Sequence, residues 1–353
     1  MSDLDTLKLL VEDLTRHSYS SLDVLENCNY RYKLQYIDKL RSDKGSLATE
    51  CGTCLHKCLE IKGRNLIEGK EIDYDYLKDI ALNGCTDITD KGSEEILGFN
   101  QLKRKYFDDY FAIDPNTGMN YDQKLQLFFD EVLPSRMSED DDWEIIGVEV
   151  HFEFIYRKKY KFVGFIDRVD KNKKTGELRI TDYKSSKKTF PDNKIKTPMQ
   201  HFIYDLACVD MYGQLPVEHV YDFILLNKMQ TSKDGVCSKG YINRGIKKLD
   251  KILETREKLI EENSWTPKPS PLCYWCSYNS NSPHADPLLK GLCQWHSLWT
   301  PDNKTFAVLN PWTGDNAVEN GESEVLRLKN GNVITPIKTK DTNNIASRRK
   351  LIF

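Results

Sequence analysis

The feature that most limits what this chain can fold into is the run from Lys161 to Lys184, KFVGFIDRVDKNKKTGELRITDYK. Two β-branched, extended segments, 161–170 and 177–184, flank the turn-rich Asn172-Lys173-Lys174-Thr175-Gly176, which is the pattern of an antiparallel hairpin. Side chains alternate along a strand, so Leu178, Ile180, Asp182 and Lys184 share one face, with Asp182 and Lys184 roughly 6.6 Å apart. Pairing Asp170 with Glu177 sets Asp167 opposite Ile180 and diagonal to Asp182, within about 7–8 Å at Cα. Two carboxylates and an ammonium then converge. Carboxylates that close repel unless a cation lies between them, and oxygen ligands of this kind suit Mg²⁺ or Mn²⁺. A surface hairpin with ordinary charges is the plain alternative.

Whole-chain charge says little about partners, since 51 basic residues face 54 acidic ones. The segment 151–200, however, holds 14 Lys and Arg against 6 Asp and Glu, a local positive excess around the proposed site. No signal peptide and no apolar run of spanning length occurs, so a soluble, intracellular, cytoplasmic protein with no membrane partner is expected. Ten cysteines in a reducing compartment point to metal ligation or free thiols rather than disulfides.

Residues 1–16 read as a polar leader. A helix opens at His17-Ser18-Tyr19-Ser20-Ser21-Leu22, with Ser20 or Ser21 as N-cap and Leu22, Leu25, Cys28 and Tyr32 along one stripe. A second helix begins at Cys51-Gly52-Thr53-Cys54-Leu55-His56-Lys57-Cys58. Cys51, Cys54 and Cys58 fall on an apolar stripe, although C-x-x-C-x-H-x-C is also dense enough in soft ligands to form a separate metal site. Residues 70–142 read as a helical insert, with helices over 75–82, 93–112 and 122–131. From Trp143 the period becomes two, placing Ile146, Val148, Val150, Phe152, Phe154 and Tyr156 on one face and Glu149, His151 and Glu153 on the other. Glu149 is a candidate accessory acid, but an exposed strand position is the reading preferred here.

After the hairpin, Gln200 and Tyr204 lie four apart on a helix that ends near Gly213. A strand at 219–227 and an amphipathic helix at 242–262 complete an α/β core. Past the proline-rich turn at Pro267, Pro269 and Pro271 comes Cys273-Tyr274-Trp275-Cys276, a soft-metal half-site, and then Cys293. Beyond Trp299 lies an extension, 300–353, in which Asn330-Gly331 signals a two-residue hairpin and Arg348-Arg349-Lys350 forms a basic tail.

G-F-I-D-R-V-D followed by I-T-D-Y-K resembles the heart of the PD-(D/E)XK nuclease superfamily, specifically RecB-type nuclease domains and their CRISPR-associated and viral exonuclease relatives. The spacings S-x-S-S-L…Cys28, G-x-x-x-H ending at His56, Q-x-x-x-Y over Gln200–Tyr204 and C-x-x-C…Cys293 agree with it. The resemblance implies a restriction-endonuclease-like fold, a central mixed sheet flanked by helices, over 17–299, with a Cys-rich, metal-stapled terminus. It also implies a DNA nuclease of replication, recombination or repair, an exonuclease or end-processing enzyme using Mg²⁺ or Mn²⁺. Asp167, Asp182 and His56 are then metal ligands, Lys184 acts on the attacking water, and Gln200 and Tyr204 orient the site. Cys28, Cys273, Cys276 and Cys293 would hold a [4Fe–4S] cluster, with Zn²⁺ as the alternative. Cys293 departs from the family spacing because Ser277–Leu292 intervenes, which leaves His284 and His296 as substitutes. The rival reading is a non-catalytic nucleic-acid-binding scaffold with a nuclease-like fold. DNA is the expected partner, and without a G-x-x-x-x-G-K-[ST] motif any unwinding would come from a separate helicase.

Overall fold

The structure is a computed structural model that describes residues 16–293, except 43–44, 90–91, 138–141, 192–194, 196–198, 233–237, 269 and 281, together with four short strands beyond them. The leader up to residue 15, the Asn330-Gly331 turn and the basic tail lie outside the described residues. Two compact units emerge, residues 1–19 with 45–250 and residues 20–44 with 251–353.

The first unit is built on a mixed six-stranded sheet: β1 (Arg16–His17), β2 (Trp143–Tyr156), β3 (Tyr160–Asn172), β4 (Leu178–Lys184), β5 (Pro216–Phe223) and β6 (Lys228–Ser232). Strand β3 pairs antiparallel with β2 along one edge and with β4 along the other, where β1 also joins it in parallel. Strands β4 and β5 are parallel, a connection that needs a crossover, and helix α2 (Met199–Tyr212) provides it. Burial on both sides explains why α2 carries so little polar surface: Met199, Phe202, Ile203, Ala207 and Cys208 are all buried. The expected strand at 219–227 begins earlier, at Pro216, and stops at Phe223, where the chain turns into edge strand β6.

Helix α1 (Leu47–Ile67) starts four residues before the expected position, because Ser46 caps it by accepting the Thr49 N–H at 3.3 Å. Its apolar stripe of Cys51, Cys54, Leu55, Cys58 and Leu59 is fully buried and packs into one core with Leu77, Ile80, Phe99, Leu102, Tyr110 and Phe128 of the insert. The insert is therefore part of the core. It is helical at Tyr74–Asn83, Phe99–Lys105, Phe107–Phe111 and Tyr121–Leu127. The expected helix over 93–112 is corrected at its start: Cys85–Thr89 and Gly92–Ile96 form an antiparallel hairpin, with Asp87 opposite Glu94.

In the second unit the helix spans Tyr19–Asn27, so Ser20 and Ser21 lie inside it rather than capping it. Cys28 is not helical. It is extended (φ −161°, ψ 106°) and caps a new short helix, Asn29–Tyr32. Chain 276–293 is a run of turns around a small cluster of Leu34, Tyr278 and Leu289. Helix α3 (Lys239–Glu261) carries residues of both units. Further strands pair as His296–Thr300 with Thr305–Leu309 and Leu326–Arg327 with Val333–Ile334.

Candidate active site

The β3–β4 register differs from the expected one by two residues. Asp170 pairs with Arg179, not Glu177, followed by Val169 with Ile180 and Arg168 with Thr181. The reason lies in the buried Asp170 carboxylate, which accepts from Arg168 Nε at 2.6 Å and from Arg179 Nε at 3.0 Å, so both guanidiniums satisfy a charge that could not be buried alone. The ladder ends at Arg168 and Thr181, and Asp167 and Asp182 follow just beyond it, one on each strand.

On the other edge of β3, Gly147 pairs with Val169, Val148 with Arg168 and Val150 with Ile166, after a bulge between Ile145 and Gly147. The position opposite Asp167 is Glu149, whose backbone sits in the left-handed region at φ 46°. A non-glycine residue held there stores strain, a recurring mark of functional sites. Glu149 is thus no exposed strand residue. It completes a row of three carboxylates, Glu149, Asp167 and Asp182, on three neighbouring strands.

Helix α1 adds His56. Four residues before it, a Cβ on Gly52 would lie 2.6 Å from Ser185 Oγ, so glycine is what lets this helix approach the chain just past Lys184. His56 Nδ1 is 3.8 Å from Asp167 Oδ2, and its ring meets the edge of Tyr183 at 5.7 Å. Asp167 Oδ2 also accepts the Tyr183 N–H at 2.7 Å. Ligand atoms of His56, Glu149 and Asp167 lie within 4.8 Å of one another, the one such set of three or more among the described His, Cys, Asp and Glu residues.

Electrostatics follow from this crowding. Burial raises Asp167 and Asp182 to about 6 each, and burial together with the Asp167 charge raises Glu149 to about 8. Burial lowers His56 to about 4. Carboxylates that resist ionising beside a neutral imidazole form a donor set whose charge a divalent cation offsets, so the residues present fit such an ion.

Lys184 Nζ makes an ion pair with Asp182 Oδ2 and donates to Gln200 Oε1 at 3.1 Å. Gln200 Nε2 donates in turn to Asp182 Oδ1 and to the Tyr204 hydroxyl, both at 2.9 Å. The Q-x-x-x-Y spacing on α2 therefore clamps the acid and the lysine of D-x-K together. Gly52, Thr53, His56, Glu149, Tyr183 and Lys184 line a cleft of about 650 Å³. Sequence reasoning missed a further wall: Asp87 of the insert hairpin also lines the cleft, held by Lys57 Nζ at 2.7 Å.

In the second unit Cys28, Cys273, Cys276 and Cys293 line a single cavity. Backbone N–H groups of Arg31 and Lys268 point at Cys28 Sγ (3.5 and 3.4 Å), and that of Ser270 points at Cys273 Sγ (3.5 Å). The long Ser277–Leu292 interval does not carry Cys293 away, because the chain doubles back: the Cys293 N–H bonds Tyr278 O at 3.0 Å and residue 293 bridges to Asn279. His284 packs instead on Tyr274, and the side chain of His296 lies outside the described residues. Cys51, Cys54 and Cys58 are fully buried in the core, with Cys54 Sγ against Ile80 O and Ala81 O and Cys58 Sγ against Leu77 O, which is how packed thiols behave.

Fold and site together describe a nuclease-like enzyme core. The profile of the PD-(D/E)XK nuclease superfamily matches residues 16–281, and the chain belongs to that superfamily. It is also similar to an ATP-dependent helicase/deoxyribonuclease component from Streptococcus agalactiae serotypes Ia and V, at 25% identity over 196 residues. That match covers 55% of this chain and 16% of each relative, so the chain spans only a small part of their length. Among the described residues no helix is long and apolar enough to cross a membrane.

Proposed function

We propose that the chain is a divalent-metal deoxyribonuclease that hydrolyses phosphodiester bonds at DNA ends, as an exonuclease or end-processing enzyme. The observation that carries this reading is the set His56, Glu149 and Asp167, whose ligand atoms lie within 4.8 Å of one another, with Asp182 and its ion-paired Lys184 on the neighbouring strand. Glu149, Asp167, Asp182 and His56 would hold Mg²⁺ or Mn²⁺, and His56, lowered to about 4, is neutral at pH 7 and has a lone pair to give. The bound ion would acidify water and offset charge on the phosphoryl oxygens. Lys184, fixed by Gln200, orients the attacking water and offsets negative charge as the P–O bond breaks. Gln200 and Tyr204 position Asp182 and Lys184 rather than touching the scissile bond.

The four cavity cysteines we assign to a [4Fe–4S] cluster. Four thiols lining one cavity can hold either a cluster or a zinc ion, and the resemblance to iron–sulfur members of the family favours the cluster. N–H groups aimed at sulfur are a further trait of cluster-bearing thiolates. A separate helicase fits as a partner, since the similar streptococcal proteins are named for a helicase/deoxyribonuclease.

Single- and double-stranded DNA labelled at either end, incubated with Mg²⁺ or Mn²⁺, should shorten progressively and stay intact in chelator. Failure to cut any of these substrates with metal present would leave the non-catalytic scaffold as the better reading.

A further inference from the structure

Outward from the acids, the β2–β3 ribbon carries an exposed aromatic pair that the hydrolytic site does not use. Phe165 is two residues before Asp167 on β3, hence on the same face and about 6.6 Å away along the strand. It is 53% exposed, although it belongs to a strand whose next residue, Ile166, is fully buried. His151, two residues past Glu149, is its direct cross-strand partner and is also exposed. The rings contact each other with centroids 5.0 Å apart and planes at 53°.

The backing of this pair is rigid. Gly164 faces the opposite side, where the Phe152 ring covers it so closely that a Cβ there would lie 2.6 Å from the ring. Phe152 stacks in turn on Phe154 and meets Tyr204 edge-on, so the buried side of the ribbon is aromatic throughout and the strand cannot turn Phe165 inward. Beyond the pair, the ribbon ends in the exposed turn Arg157-Lys158-Lys159. Lys159 and Asp167 are eight positions apart, about 26 Å along an extended chain.

Acids, a ring platform and a basic turn therefore lie along one ribbon. We infer that Phe165, supported by His151, is a stacking platform for a nucleobase of a single strand whose backbone enters the acid site, with the basic turn meeting phosphates further out. Every base has an apolar face, so such a platform grips a strand without reading its sequence. This rests on the nuclease reading above and adds a substrate class to it, an unpaired strand, because a base inside a duplex is stacked on both faces and has none to offer.

The test uses the full chain carrying Lys184→Ala, so that the strand survives, and a single-stranded oligonucleotide containing 2-aminopurine, whose fluorescence falls on stacking. Binding should quench the probe. Phe165→Ala should abolish the quenching and weaken binding about tenfold, Phe165→Tyr should retain both, and an oligonucleotide of abasic residues should bind the parent and Phe165→Ala alike. Because Phe165 is exposed, its truncation leaves the core intact, and an unchanged melting temperature checks this. Equal quenching and affinity in Phe165→Ala would overturn the platform. So would binding of the probe without quenching by the Lys184→Ala chain when the unsubstituted protein cleaves DNA, an outcome that leaves the nuclease reading standing. Failure of the Lys184→Ala chain to bind any strand together with failure of the unsubstituted protein to cleave any would overturn both.

Discussion

The acid row and the cysteine cavity are both assembled from distant stretches of chain, yet they are held by different means. Glu149, Asp167 and Asp182 lie on three neighbouring strands, between or next to residues that the ladders pair, so the sheet sets their neighbourhood. Cys28, Cys273, Cys276 and Cys293 sit in an extended cap, a short 3₁₀ helix and a run of turns, over a small cluster whose buried apolar members among the described residues are Leu34, Tyr278 and Leu289. A sheet holds its geometry whether or not a ligand binds. Turns with little core would lean on a bound ligand, and a ligand joining Cys28 to Cys273 would close a loop of 245 residues, so that its binding free energy would become folding free energy.

That contrast predicts opposite phenotypes. The largest effect is expected from Asp182→Ala or Lys184→Ala: cleavage should fall by several orders of magnitude in single-turnover assays, on the order of 10³ or more, while the circular dichroism spectrum and melting temperature hold. Near-parental cleavage by either variant would remove the D-x-K assignment.

Cys28→Ser or Cys276→Ser should do the reverse, lowering solubility and melting temperature although neither residue lines the cleft. Anaerobically purified parent protein should be brown, absorb near ~400 nm and contain about four irons per chain. A colourless protein with one zinc would shift the ligand to zinc.

A smaller effect is expected at Glu149. Glu149→Gln should weaken Mg²⁺ binding about ten- to a hundredfold in calorimetry. The pH dependence sharpens this. Carboxyls raised to about 6 and about 8 favour the protonated folded state, so metal-free protein should lose stability as pH rises from the ordinary carboxylate range through 6 and 8, and Mg²⁺ should restore more at pH 8 than at pH 5. A flat melting temperature across that window would argue that these carboxyls are not coupled. Glu149→Gln should flatten the curve between pH 6 and 8 and make the fall below 6 shallower.

The smallest effect is expected from Gly52→Ala. A methyl 2.6 Å from Ser185 Oγ should cost about 1–3 kcal/mol as overpacking, less about 1 kcal/mol returned by helix propensity. A drop of a few degrees in melting temperature with a severalfold loss of cleavage would fit, and unchanged values would show that the helix has slack.

Much of the site is legible in the sequence because its spacings are local. D-x-K depends on a period of two, G-x-x-x-H and Q-x-x-x-Y on a helical turn, and Gln200 and Tyr204 do converge on Asp182 and Lys184. Features set by distant partners are not legible. The hairpin register turns on which arginines reach Asp170, a matter of tertiary burial. Glu149 is concealed by the bulge near Ile145, which offsets the strand, and by a left-handed backbone that simple alternation does not anticipate. The Cys85–Ile96 hairpin, rich in Asp, Glu, Ser and Thr, carries strand patterning too weak to separate it from the helix that follows. Helical spacing sets Cys28 on a stripe with Leu22 and Leu25, and nothing in its neighbours signals the extended cap that separates two short helices.

The packed thiols of α1 have a consequence for electrophile chemistry. Only a thiolate attacks an alkylating reagent, and burial at Cys51, and at Cys58 the hydrogen bond with Cys54 followed by burial, keep both thiols protonated as well as out of reach. The α1 and cavity cysteines thus form a silent set and a reportable one. The cavity cysteines, each only partly buried, would take up label if the proposed ligand is stripped, while the α1 stripe reacts only on unfolding. Mapping label onto these two sets before and after denaturation therefore reads the second unit and the first separately in one mass spectrum.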